Sequence, residues 1–141
     1  MSSEDPPDTG ATVLIDDRQD MPLDADALAE LARSCLQGEG AGGELSISFV
    51  TAEEMADLHV RYTGEEGATD VLSFPQDEDG LLGDVVICPE VARANTDDLD
   101  AELRLLVVHG ILHLLGHDHE DDDERAAMWA KQEAYTGVRV P

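Results

Sequence analysis

Positive charge is what this sequence lacks most. Of its 141 residues only 8 are Lys or Arg, against 33 Asp or Glu, which gives a formal net charge of −25. Lys131 is the lone lysine. Affinity for a phosphate backbone comes mostly from Lys and Arg, so this deficit argues against a basic nucleic-acid-binding face. It argues equally against docking on an anionic membrane. Aromatic residues make up only 4% of the chain, so the core must be mainly aliphatic. The two cysteines, Cys35 and Cys88, lie far apart in sequence. That argues against a disulfide framework and fits a reducing cytoplasm. No apolar run approaches the ~20 residues of a membrane span. The segment 1–10 has neither the basic nor the apolar region of a secretory signal. No internal repeat or heptad run is visible.

What is present suits one soluble domain: the length is typical, and hydrophobic residues reach 42%. Residues 1–10 are charged and Pro-containing and are expected to be disordered, leaving 11–138 as a single domain. Residues 12–16 read as a first strand. Leu28, Leu31, Ala32, Cys35 and Leu36 share one face of a helix predicted over 25–37, with Asp24 as N-cap and Gly38 at its C-terminal cap. Polar and apolar residues alternate over 44–50, as in a half-buried strand. Thr51 and Glu54 form a capping box for a helix over 52–62. Strands over 70–74, ending at Pro75, and 83–88 read as a hairpin. Pro89 starts a short helix to 94. A long helix over 99–115 is apolar on nearly every side, hence buried. A last helix spans 123–135. The fold class expected is α/β (α+β): a single domain with a mixed four-stranded sheet packed by about five helices, one of them a zincin-like metal helix.

Four of the five histidines fall in the eleven residues 109–119. His109 and His113 are i, i+4 on the buried helix, so they share a face about 6 Å apart along the axis. Two buried imidazoles without partners would each cost about 1–3 kcal/mol, and a metal ion supplies a partner for both. A third ligand must come from outside the helix. His119, three residues past the turn at Gly116, has the reach. Three histidines leave a fourth tetrahedral position open, the arrangement of a catalytic zinc rather than a structural one. His117 and His59 are weaker ligand candidates, and Asp84 is a candidate to orient a ligand histidine. The spacing resembles the zincin H-E-x-x-H helix, whose glutamate is the general base. Gly110 stands in its place here, which weakens a peptidase reading, although Asp118 or Glu120 could substitute from the loop.

The run His109-Gly110-x-Leu112-His113-Leu114-x-Gly116-x-Asp118-His119 closely resembles the signature of the YbeY family of rRNA maturation factors. Ala68-Thr69-Asp70-Val71-Leu72-Ser73-Phe74-Pro75 is similar to a second block of that family, and Gly83-Asp84-Val85-Val86-Ile87-Cys88 to a third. Together they cover about residues 45–135 and are far more specific than H-x-x-x-H alone. The resemblance implies one Zn2+ per chain held by His109, His113 and His119. It implies a single-strand-specific, zinc-dependent endoribonuclease acting in rRNA maturation, at the small-subunit rRNA 3′ end, and in ribosome quality control. The expected setting is the cytoplasm. The expected partners are ribosomal RNA or the small subunit, with a ribosomal protein or GTPase, and unaided binding to free RNA should be weak. Many members carry Arg before the glycine matching Gly64. This chain has Thr63 there, with Glu65 and Glu66 beyond, so Arg61 is the catalytic candidate that would hold a scissile phosphate. The other readings are an assembly factor with structural zinc and no cleavage activity, and a zinc-dependent peptidase or other hydrolase.

Overall fold

The computed structural model describes residues 10–78, 80–117 and 121–138. Among them the order of elements is β1 (Ala11–Asp17), α1 (Ala25–Gly38), β2 (Gly43–Phe49), α2 (Ala52–Thr63), β3 (Val71–Glu78), β4 (Leu81–Ile87), α3 (Pro89–Ala94), α4 (Leu99–Leu114) and α5 (Asp122–Thr136). The expected four-stranded mixed sheet is present, in the order β1-β2-β4-β3. β1 and β4 both run parallel to β2, while β3 and β4 form the antiparallel hairpin. A parallel neighbour needs a crossover, and α1 provides it between β1 and β2.

Strand alternation sorts the side chains onto two faces. On one face Leu45, Ile47 and Phe49 of β2, with Val85 and Ile87 of β4, meet Leu36 of α1, Ile111 of α4 and Met128 of α5. On the other face Val86 packs with Cys88, Val50 and Met55, flanked by Leu58 of α2 and by Leu72 and Phe74 of β3. Helices α1, α4 and α5 thus cover one side of the sheet and α2 the other.

Several helix starts follow the expected capping chemistry. Asp24 accepts from the Ala27 amide at 3.1 Å, Thr51 from Glu54 at 3.2 Å and Asp98 from Ala101 at 3.2 Å. Several boundaries move by a residue or two, β4 for instance starting at Leu81 rather than at 83, and two of the differences have a clear physical reason. The strand expected to stop before Pro75 continues to Glu78. β3 is an edge strand, and an edge tolerates the missing N–H. Gly38 is not the cap of α1 but its last residue, with Glu39 capping it. Glycine is needed there for space, because a Cβ would lie 2.7 Å from Tyr135 Cε1 on α5.

Candidate metal centre

α4 is buried against the sheet through Val107, Gly110 and Ile111, but it keeps one stripe partly open, and that stripe carries the histidines. His109 is half-buried and His113 exposed. Their ring centroids are 5.9 Å apart, as i, i+4 spacing requires. His109 Nδ1 donates to Gln132 Oε1 at 2.7 Å. Gln132 lies on α5, only 4% exposed. This bond fixes the tautomer: the proton sits on Nδ1, and Nε2 carries the lone pair a metal needs. Thr136 Oγ1 donates in turn to the Gln132 carbonyl at 2.6 Å, which steadies that turn of α5.

The expected third ligand, His119, lies outside the described residues, as do Asp118 and Glu120. Among the described residues no three His, Cys, Asp or Glu side chains gather into a metal-sized group. The donor set that is described, two imidazoles on one helix face with one held in the ligating tautomer, suits a zinc ion. A shallow cavity of about 230 Å³ opens beside His109, lined in part by Asp70, Glu102 and Gln132. Burial, and then the negative charge of Asp70, push the Glu102 carboxyl above its ordinary value.

Gly110 faces the sheet. A Cβ at this position would lie 2.6 Å from Val85 Cγ1 and 3.3 Å from Ser73 Oγ. Ser73 Oγ donates to the Gly110 carbonyl at 3.1 Å, so strand and helix are in direct contact. A glutamate in the zincin position does not fit between them.

The remaining candidates are dispersed. Arg61 sits on α2, across the sheet from α4, with its guanidinium 2.6 Å from Asp57 and both side chains well exposed. Asp84 faces the α2 side of the sheet, where its Oδ2 accepts from Gln76 Nε2 at 3.2 Å. It therefore does not orient a histidine, and Gln132 has that role. His59 is occupied by the Gly67 carbonyl at 2.9 Å. His117 bonds to Glu39 at 2.8 Å. Arg18, not singled out from the sequence, lines a groove of about 540 Å³ on the α2 side with Tyr62, Gln76 and Asp84. Its charge is answered by Asp16 at 3.2 Å and Glu54 at 2.9 Å. Cys35 and Cys88 are fully buried free thiols. Burial pushes the Cys35 thiol up to about 12, so it stays protonated and inert.

Gln132 had one signal in the sequence. It falls on the same helical face as Met128 and Thr136, four residues to either side. A long polar side chain on a buried face needs a partner.

A histidine pair on a buried helix, backed by a mixed sheet and steered by a neighbouring helix, defines the class: a small α/β domain with a candidate catalytic metal centre. The family model described as endoribonuclease YbeY matches residues 14–137, and the chain belongs to the YbeY family. It is 48% identical over 130 residues to endoribonuclease YbeY of Frankia casuarinae, covering 78% of this chain and 65% of the relative. It is 46% identical over 129 residues to that of Thermobifida fusca, covering 79% of this chain and 83% of the relative. The solution structure of TM1509 from Thermotoga maritima superposes with a TM-score of 0.61 at 30% identity, over 89% of this chain and 87% of that one.

Proposed function

We propose that this chain is a zinc-dependent, single-strand-specific endoribonuclease that acts on ribosomal RNA in small-subunit 3′-end maturation and ribosome quality control. The observation that carries the proposal is the His109–His113 pair on one face of α4, with His109 fixed by Gln132, in a chain of the endoribonuclease YbeY family. His109, His113 and His119 would hold one ion. When bound, zinc supplies Lewis acidity toward a phosphoryl oxygen or an attacking water. The chain's own residues orient and hold. Gln132 places the proton of the neutral His109 ring on Nδ1, so the lone pair of that form is on Nε2. Arg61 is proposed to contact a phosphate of the bound RNA away from the ion rather than the scissile one, because the sheet lies between α2 and the histidines of α4. Its pair with Asp57 is exposed on both sides and is worth at most about 1 kcal/mol, so a phosphate can displace the carboxylate. With a charge of −25, access to RNA is proposed to depend on a ribosomal protein or GTPase partner in the cytoplasm.

The same charge favours a second reading, an assembly factor whose zinc is structural and which cuts nothing. The deciding experiment is cleavage of a single-stranded rRNA fragment by highly purified protein beside His113→Ala. Loss of cleavage in the variant supports the enzyme. Undiminished cleavage assigns the activity to a contaminant. A cleavage-dead variant that restores normal rRNA ends in cells lacking the protein supports the assembly factor. A peptidase finds no support at Gly110.

A further inference from the structure

Gln132 is only 4% exposed, yet it uses half of its amide. Oε1 accepts from His109 Nδ1 at 2.7 Å, whereas Nε2 has no partner among the described residues. Leaving a buried N–H without an acceptor is costly, so an unused donor of this kind points to a ligand. The side chain lines the cavity of about 230 Å³ beside His109. A water takes roughly 30 Å³ in the liquid, so the cavity has room for a larger group.

Two carboxylates line the same cavity: Asp70, just before β3, and Glu102, in the first turn of α4. Neither has a hydrogen-bond or ion-pair partner among the described residues. Burial, and then the charge of Asp70, raise the Glu102 carboxyl. Glu102 precedes His109 by seven residues. That is two helical turns, about 10 Å along the axis, so both side chains leave the same face of α4. Val71 and Leu105 give the cavity aliphatic walls, and among the described residues no Phe, Tyr or Trp lines it.

These groups discriminate among the parts of a single RNA strand. A phosphate would be a third anion beside two carboxylates and is repelled. A base finds no aromatic ring of the usual kind to stack on. A ribose 2′-hydroxyl fits, because it donates one hydrogen bond and accepts another. It can donate to Glu102 and accept from Gln132 Nε2, with the sugar ring against Val71 and Leu105.

We propose that Glu102 and Gln132 recognise the 2′-hydroxyl of a nucleotide lying beside the metal centre, and so select RNA over DNA. One end of the Gln132 amide steers His109 and the other reads the sugar. The inference rests on the endoribonuclease reading given under Proposed function and adds to it the chemical group by which RNA is distinguished.

The test measures how well unlabelled strands compete with a labelled single-stranded rRNA fragment for cleavage by the zinc-loaded full chain in Mg2+. Initial rates report the competitor's binding whether or not it is itself cut. Three competitors share one sequence: RNA, its 2′-deoxy form, and its 2′-O-methyl form, which accepts but cannot donate. For wild type the deoxy and O-methyl strands should each compete about 10- to 100-fold less well than RNA, the effect of losing a hydrogen bond to a charged group. Glu102→Leu should bring the three strands close together by weakening the RNA strand, and should leave the zinc Kd near wild type. Glu102→Gln, which keeps an acceptor without the charge, should retain part of the preference. If wild type cuts no RNA, or His113→Ala cuts it undiminished, the endoribonuclease reading fails and this inference falls with it. If cleavage depends on His113 but the RNA and deoxy strands compete equally, only this inference fails, and the cavity takes water alone. A preference for RNA that survives in Glu102→Leu overturns it, because the hydroxyl is then read elsewhere. A zinc Kd raised by Glu102→Leu also overturns it, since Glu102 would then act on the ion. If the melting curve shows that Glu102→Leu does not fold, Glu102→Ala decides in its place.

Discussion

His109 Nδ1 lies 2.7 Å from Gln132 Oε1, and this bond joins α4 to α5 across 23 residues of sequence. An amide oxygen accepts and cannot donate, so the pair locks one histidine tautomer. Gln132→Leu keeps the bulk and removes the acceptor. It should weaken zinc binding about 10- to 100-fold while leaving far-UV circular dichroism unchanged. Chelator competition measures it, and an unaltered Kd would remove Gln132 from the site.

Gly110 sits where sterics and helix propensity oppose each other. Alanine in a helix interior gains up to about 1 kcal/mol over glycine. Here the added Cβ would lie 2.6 Å from Val85 Cγ1. Overpacking of this kind costs about 1–3 kcal/mol, so Gly110→Ala should be destabilising on balance. Adding Val85→Ala removes the clashing atoms, and the double variant should cost less than the sum of the singles. Urea unfolding of the four proteins tests this, and a stabilised Gly110→Ala would contradict it.

Stability should depend on Glu39 in acid. Burial works to raise its carboxyl, but bonds from Tyr135, Lys131 and His117 hold it below the ordinary value of 4.5 in the folded chain, so between the two values the unfolded state binds more protons. The stabilisation is complete above about the ordinary value and is lost as pH falls through the folded one. Urea midpoints measured from pH 6 down to pH 3 should therefore fall less steeply for Glu39→Gln than for wild type. Parallel profiles would show that the carboxylate carries no such linkage.

Free RNA should meet a repulsive surface. Most RNA-binding proteins lose affinity as salt rises, because binding releases counterions. At a net charge of −25 the sign should reverse, with binding of a single-stranded oligonucleotide strengthened by added salt or Mg2+. Fluorescence anisotropy across a salt series settles it. A steep conventional decline would point to a basic patch that the composition conceals.

α4 is legible in the sequence because its apolar residues leave only two places for histidine on one face. The hairpin is legible because two apolar runs flank an acidic turn with glycine. Metal-site geometry is only half legible. The i, i+4 rule supplies His109 and His113, since that spacing is local. The bonding partners of the histidines are not local. Gln132 reaches His109 from another helix, and Glu39 reaches His117 across 78 residues, so no spacing rule connects them. Asp84 shows the reverse error. A carboxylate in a strand block that resembles the family turns to the other face, because each step along a strand reverses the side chain. Pro75 misleads about strand length for a related reason: whether proline ends a strand depends on whether that strand is an edge, which only the assembled sheet decides.

Pro75 also bears on how molecules of this protein meet one another. An open strand edge is a template for a second chain, and an added strand needs a continuous row of donors and acceptors. β3 interrupts that row with a residue that has no N–H, and its pairing with β4 shifts register between Pro75 and Glu78. Glu78, exposed at its end, adds charge of the sign every other copy carries. Self-association by strand addition is thus blocked on this side of the sheet by backbone chemistry and by repulsion together. The β3 edge can stay uncovered at high protein concentration without seeding aggregates.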